Sequence, residues 1–555
     1  MQLHSIKIFL DALAGAIAGD ASTWALALAV PFFAAFVGAA KIKRLSALPG
    51  IIWGGLVLMA GAVIFLYVSM GWTYARSLVF WDHVEPHVAS ISWYFWLGKE
   101  VYPALSECYG LSYGPFLYII NGLVEALCGP SVFSAKLGGV LAGCGSVLAV
   151  FLLVRRTHKT SVALLAASLF VSMQLHFSHV AFWNRPDPFL VFFVSIAGLA
   201  ATFPSWGTAL GMGIAAGICF NLKIHALLYF LPIFAFAWRT LSVRQMAAAV
   251  GIGCAFGIAP FFMFGNISYG HFIAPIKWAA FQGFAPGTIA AILKWSFLAA
   301  MPVGLVAVLA YLQNPDRVRQ AFDRGKWPLA ALILAWIVMA IPASKIGSGA
   351  FHYMPFLPAV ALIAADLFRD GTDVRFRHSH GGFLIYACLA SWIVCSSLSA
   401  GFRLRAIKWR LESSSLANAV ASEIQSVLDR YGDTHVVLMG QAGGPGAGGQ
   451  YRLTFLSPLL VFNGMPIGLE ASTLMERKTA GMPTPPVRSI GQSPEGKPVL
   501  WMIPKGDEPF SLTTWYPPFD NLYDDRFRQD FLSLYGVSSE TPHFDLYTAR
   551  SPGAK

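Results

Sequence analysis

The chain has 555 residues, 56% of them hydrophobic and 12% charged, with a net charge of +11 at neutral pH. Soluble globular domains carry about 25% charged residues, so the composition excludes an ordinary soluble enzyme. The positive charge lies in the connections between apolar runs, which reads as topogenic charge and not as a nucleic-acid-binding face.

Apolar runs fall near 21–40, 50–71, 134–154, 160–178, 187–203, 206–221, 224–238, 246–265, 289–312, 327–343, 350–368 and 382–400. Crossing the hydrocarbon core takes about 20 residues. The runs therefore predict a polytopic α-helical membrane protein of about a dozen transmembrane helices. One more short membrane-associated helix is expected over 5–19; Asp11 interrupts its apolar stretch, so it reads as retained and not as a cleaved signal.

Five basic clusters punctuate the runs: Lys41/Lys43/Arg44, Arg155/Arg156/Lys159, Arg239/Arg244, Arg317/Arg319/Arg324/Lys326 and Arg369/Arg375/Arg377. Counting spans puts all five on one side, which the positive-inside rule assigns to the cytoplasm. The outward side then receives 72–133, 179–186, 221–223, 266–288, 344–349 and everything after Phe402. Segment 72–133 is rich in aromatic residues, among them Trp93, Tyr94, Phe95, Trp96, Tyr113 and Phe116. It predicts two interfacial helices, near 84–98 and 114–128.

Residues 1–402 thus form a membrane body, and 403–555 a small outward-facing α/β domain. Its signals are a helical pattern at 413–430, a strand-like run at 434–439, and apolar runs at 453–462 and 499–503. The glycine-rich stretch Gly440–Gly449 lacks the spacing of a phosphate-binding loop and precedes strand-like sequence, so it reads as a flexible loop. The seven cysteines form no CxxC pair, which argues against a zinc or redox motif.

The ionisable residues cluster on the outward side. Trp81-Asp82-His83-Val84-Glu85-Pro86-His87 sets four ionisable groups at a membrane–water boundary, an expensive placement that favours function. The same residues fit a helix start, with Asp82 as N-cap and Glu85 closing a capping box. The two roles are compatible, because a capping carboxylate can also serve as a base. His83 and His87 have the i, i+4 spacing of a metal pair, with Asp82 or Glu85 as further ligands. Pro86 between them argues against regular geometry, and no cofactor is expected.

Asn184-Arg185-Pro186-Asp187-Pro188 forms a rigid turn, in which Arg185 and Asp187 either act on substrate or pair locally. Lys223, and Lys345 with His352-Tyr353, sit at outward span ends. With Arg185 they offer cations to a phosphate, against the plainer reading of interfacial anchoring. Asn266-Ile267-Ser268 is a glycosylation sequon on the same side.

Taken in order, these features resemble the GT-C glycosyltransferases, in particular the branch of protein O-mannosyltransferases and lipid A aminoarabinose transferases. The resemblance rests on Asp82, the helix end at Leu97-Gly98, Tyr113-Gly114-Pro115, Arg185-Pro186-Asp187, Lys223 and His352-Tyr353 with Pro355 and Pro358, and it covers roughly 50–370. It departs from the family where His83 stands in place of a second acid. The resemblance implies a GT-C fold and transfer of a sugar from a polyprenyl-phosphate donor to a glycan, lipid or protein acceptor at the outer face of a bacterial inner membrane. It implies Asp82 as catalytic base, with Asp187 and Glu85 as further acids. Arg185, Lys223, Lys345, His352, Tyr353 and Tyr113 would contact substrate. A transporter or flippase of an anionic or lipid-linked substrate is the alternative. Such proteins show internal repeats and midplane polar groups, and neither is evident here.

Overall fold

The computed structural model describes residues 48–368 and 414–550, apart from 105–108, 176, 282, 285–286, parts of 294–314, 445–449, 492–495 and 516–518. The helix expected over 5–19, the runs at 21–40 and 382–400, and the first and last basic clusters lie outside the described residues.

The membrane body runs α1 (Leu48–Arg76), α2 (Glu85–Trp96), α3 (Phe116–Cys128), α4 (Val132–Arg155), α5 (Thr160–Leu175), α6 (Pro186–Ala200) and α7 (Trp206–Leu222). It continues with α8 (Leu227–Ala237), α9 (Val243–Ile258), α10 (Tyr269–Phe281), α11 (Pro315–Ala343) and α12 (Leu357–Phe368). Among the described residues, four helices are long and apolar enough to cross a membrane: Val57–Arg76, Val132–Arg155, Gly325–Ala343 and Ala350–Leu367. Helices α5 to α9 fall on predicted runs but are shorter, so the count of about a dozen is not reached among these residues.

Side chains such as Leu58, Leu127, Phe262 and Ile337 point outward, as lipid-facing positions require. Tyr67, Phe170, Leu190 and Met339 fill the interior. Close packing of α4 depends on glycine. A Cβ on Gly139 would lie 2.1 Å from the Trp183 carbonyl oxygen, so only glycine lets the segment leading to Arg185 lie against α4.

Helices α2 and α3 lie close to the limits predicted for the two interfacial helices. The start of α2 differs from expectation. Its N-cap is Val84, with no side-chain cap, and Pro86 sits in the first turn. Asp82 closes an earlier turn, accepting from the Val84 N–H at 3.0 Å. Glu85 reaches back to the Trp81 and Asp82 N–H groups, both at 2.9 Å. The backward-reaching half of the capping box is therefore present, shifted against the helix. Asn266 is a clamp on the end of α2: its side-chain amide donates to the Phe95 and Lys99 carbonyls at 3.1 and 3.0 Å. The nitrogen a glycan would need is already engaged.

The C-terminal part contains α13 (Ser414–Tyr431), β1 (Val436–Met439), α14 (Ala471–Thr479), β2 (Val499–Pro504), α15 (Asp525–Leu534), β3 (Tyr535–Glu540) and β4 (Phe544–Ala549). The sheet order is β1-β2-β4-β3, with β1 and β2 parallel and the other pairs antiparallel. Beyond the glycine-rich stretch the chain forms a 3-10 helix (Gln450–Leu456) and a short helix (Pro458–Phe462) where strand-like sequence was read. Buried Leu453, Leu456 and Leu460 recur at helical spacing, and Pro458 suits a helix start better than a strand. The C-terminal part is not packed alone. Phe80, Ala89, Val132 and Ala135 share one apolar cluster with Val420, Ile424, Leu500 and Met502. It therefore sits on α2 and the first turn of α4.

Candidate active site

The connections expected to face outward meet around one cavity of about 370 Å³. Tyr113, Arg185, Lys223, Lys345 and His352 all line it. Those five residues come from four separate connections, so tertiary packing alone assembles them.

Glycine explains how two of these connections are joined. A Cβ on Gly114 would lie 1.4 Å from the Asn221 carbonyl oxygen, a distance no other residue tolerates. Asn221 completes the joint by accepting from the Phe116 N–H at 2.8 Å and donating to the Gly257 carbonyl at 2.9 Å. The turn carrying Tyr113 and the turn carrying Lys223 thus form one rigid piece.

Arg185 is the extended residue before α6. Its guanidinium stacks on Trp183 at 3.9 Å and donates to Asp82 Oδ1 at 2.9 Å. The local Arg185–Asp187 pair that the sequence allowed is not made. Pro186 opens α6, so Asp187 falls in its first turn and meets Lys223 at 2.7 Å. Burial holds the Lys223 ammonium below its ordinary pKa, against the opposing pull of Asp187. Lys345 donates to the Ala279 and Ala280 carbonyls, both at 3.4 Å. The His352 ring lies 4.8 Å from that of His225, another lining residue, and its carbonyl accepts from the Tyr229 hydroxyl at 2.8 Å. Tyr353 does not line the cavity; its ring packs on Trp336 at 4.7 Å.

The acids take different positions. Asp82 borders the cavity through its neighbours His83 and Arg185. Glu85 is fully buried and away from it, accepting from the Tyr74 hydroxyl as well as from the two N–H groups. Burial pushes its carboxyl up to about 7, although the nearby Lys136 charge and these N–H groups work the other way. Lys136, fully buried in α4, donates to the Ser77, Val79 and Tyr74 carbonyls at 2.6, 2.8 and 3.3 Å. It therefore ties down the connection that carries Asp82. Sequence reading passed over it, although a lysine inside an apolar run is itself a signal.

The two histidines do not converge. His83 packs edge-on against Trp515 at 4.2 Å, and His87 Nε2 lies 3.2 Å from Glu470 Oε1. Burial lowers the pKa of both. Among the described residues no three His, Cys, Asp or Glu side chains come together as metal ligands. Two further lining residues, Ser472 and Glu476, come from α14 of the C-terminal part. Nothing in the sequence marked them.

The sequence profile of the dolichyl-phosphate-mannose-protein mannosyltransferases matches residues 112–264. That stretch holds Tyr113, Arg185, Asp187 and Lys223. No curated protein sequence matches the chain. In three dimensions it is similar to ArnT from Cupriavidus metallidurans bound to undecaprenyl phosphate. The TM-score is 0.56 at 14% identity, over 89% of this chain and 98% of that one. The apo form of the same ArnT gives a TM-score of 0.51 at 13% identity, over the same shares. The chain has the GT-C glycosyltransferase fold. An oligosaccharyltransferase from Archaeoglobus fulgidus also aligns, with a TM-score of 0.38 at 14% identity over 62% of this chain and 55% of that one.

Proposed function

We propose that the chain is a glycosyltransferase that moves a sugar from a polyprenyl-phosphate donor to an acceptor at the outer face of a bacterial inner membrane. The observation that carries this reading is the convergence of Arg185, Lys223, Lys345 and His352 on one cavity of a GT-C fold. The likeness to ArnT, a structure holding undecaprenyl phosphate, supports a donor of that kind. The matched profile, named for a dolichyl-phosphate-mannose-dependent family, supports it as well.

In this reading the donor phosphate lies on the cations. Asp82, held in place by its hydrogen bond from Arg185, takes the proton of the acceptor hydroxyl. The acceptor oxygen bonds to the anomeric carbon as the bond from that carbon to the phosphate oxygen breaks. The electron pair leaves on the phosphate, where the cations stabilise it. A direct displacement of this kind inverts the anomeric centre. Asp187 is the second choice for the base. The acceptor is a glycan, lipid or protein, and no metal takes part in the step. With the reading goes a division into a membrane body over 1–402 and an outward body over 403–555.

Two measurements test it. Mass spectrometry of lipid copurifying with the protein should find a polyprenyl phosphate, with or without sugar; a different lipid class alone would reject the donor. For orientation, a cysteine at Ser414 should react with an impermeant thiol reagent from outside and one at Ser379 should not, in a background cleared of native cysteines. Labelling only at Ser379 would place Asp82 in the cytoplasm.

A further inference from the structure

The cavity has a second chemical character opposite in sign to its cations. Among the described residues that line it, Glu476 is the one carboxylate. A donor phosphate avoids that charge and settles on the cations. Whatever part of the substrate lies against Glu476 must therefore carry no negative charge and be able to donate hydrogen bonds. Ser472 lines the same cavity one helical turn earlier, on the same face of α14. Its hydroxyl oxygen is buried with no hydrogen-bond partner. A buried hydroxyl without a partner costs free energy, and a site that bears this cost is suited to a ligand that relieves it.

The helix that carries both is held at the site. Glu470, fully buried, caps α14 by accepting from the Ser472 and Thr473 N–H groups at 2.9 and 2.6 Å, and His87 Nε2 lies 3.2 Å from the oxygen that meets Ser472. The Thr473 hydroxyl donates to the Gly110 carbonyl at 2.8 Å, next to the segment bearing Tyr113. The Tyr94 hydroxyl on α2 accepts from the Ile467 N–H at 2.8 Å. Three anchors from the membrane body thus fix this short helix, and a rigid mount is what a recognition element needs.

We propose that Ser472 and Glu476 are specificity-determining residues that bind saccharide hydroxyls in this cavity, the C-terminal part thereby reading the sugar while the membrane body holds the phosphate. The inference rests on the glycosyltransferase reading above. Carbohydrate hydroxyls suit the pair because each both donates and accepts. A carboxylate takes the donated protons, and a serine hydroxyl turns to serve either role. The hydroxyls belong to the donor's sugar or to a saccharide acceptor.

The test uses the full-length protein in nanodiscs. One arm compares binding of bare undecaprenyl phosphate with binding of undecaprenyl phosphate carrying mannose, glucose or galactose. The other titrates the methyl glycosides of these hexoses into protein already loaded with the bare lipid. Wild type should prefer at least one sugar-bearing lipid, or bind at least one glycoside. Glu476→Gln should weaken that gain by about tenfold, as loss of a charged acceptor implies. Ser472→Ala should weaken it by a smaller factor, and both should leave bare-lipid binding unchanged.

A loss in the first arm assigns the hydroxyls to the donor, and a loss in the second to the acceptor. Unchanged gains in both variants, no gain in wild type in either arm, or an equal loss of bare-lipid binding would each overturn the proposal. Wild type that fails to bind bare undecaprenyl phosphate at all would instead overturn the glycosyltransferase reading beneath it.

Discussion

Two carboxylate–cation pairs hold the cavity's buried cations, and they differ in how much water reaches them. In the Asp82–Arg185 pair the side chains are 17% and 9% exposed; in the Asp187–Lys223 pair they are 1% and 8% exposed. Both link an acid to a cation that lines the cavity. Only Asp82 is open enough to exchange part of its interaction for an incoming hydroxyl. Asp187 is sealed in the first turn of α6, where its charge chiefly compensates a buried lysine. Similar chemistry therefore reads as reactive in one pair and structural in the other, with exposure as the deciding quantity.

The largest effect should separate these roles. Asp82→Asn keeps shape and hydrogen-bonding capacity but removes the base, so turnover should fall by at least about a hundredfold with the protein folded and donor still bound. Asp187→Asn leaves Lys223 buried beside a neutral partner, and the loss should appear in stability, about 3–5 kcal/mol. Turnover and melting temperature measured on both variants in one preparation decide the matter. Near-normal turnover in Asp82→Asn, with a collapse of turnover in a well-folded Asp187→Asn, would reverse the assignment.

The next effect concerns the cations and is smaller. Arg185→Gln and Lys345→Gln each remove one charged hydrogen-bond donor, worth about 1.5–3 kcal/mol. Binding of undecaprenyl phosphate should weaken by roughly tenfold to hundredfold in each. The two differ in a useful way. Arg185→Gln also removes the cation paired with Asp82 and should alter the pH profile of turnover, whereas Lys345→Gln should change affinity alone. Unaltered affinity in both variants would remove the phosphate from this cavity.

Much of this arrangement was legible in the sequence because local chemistry announced it. Aromatic, amphipathic stretches marked α2 and α3, and Arg185, Lys223, Lys345 and His352 stood out as polar residues at span ends. Partners were not legible. Arg185 lies two residues from Asp187 and yet bonds Asp82, 103 residues away, because Pro186 turns Asp187 into a helix and toward Lys223. Glu85 reads as one of four equal acids and bases, and only packing shows that it faces inward. Ser472 and Glu476 lie in an ordinary amphipathic helix that carries no motif. Their position depends on His87 and Gly110 more than 360 residues earlier, contacts that no local pattern encodes.

The smallest expected effect is at Glu85, and it probes whether the segment from Asp82 to Glu85 acts through one acid or two. Gln in this place keeps an oxygen to accept from the Trp81 and Asp82 N–H groups, so the turn that presents Asp82 should persist. It loses the acceptor for the Tyr74 hydroxyl and the nearby counter-charge of Lys136. Burial raises the pKa of the carboxyl, which lessens the charge that the substitution removes. Stability should therefore drop by about 1–3 kcal/mol, the cost of a buried hydrogen bond left unmade. Turnover should stay within about tenfold of wild type, well short of the loss expected for a missing base. Measuring both variants with and without a chelator extends the test to His83 and His87, whose placement gives chelation no reason to matter. A Glu85→Gln loss equal to that of Asp82→Asn, in protein that melts normally, would show that the inward-facing acid shares the proton transfer.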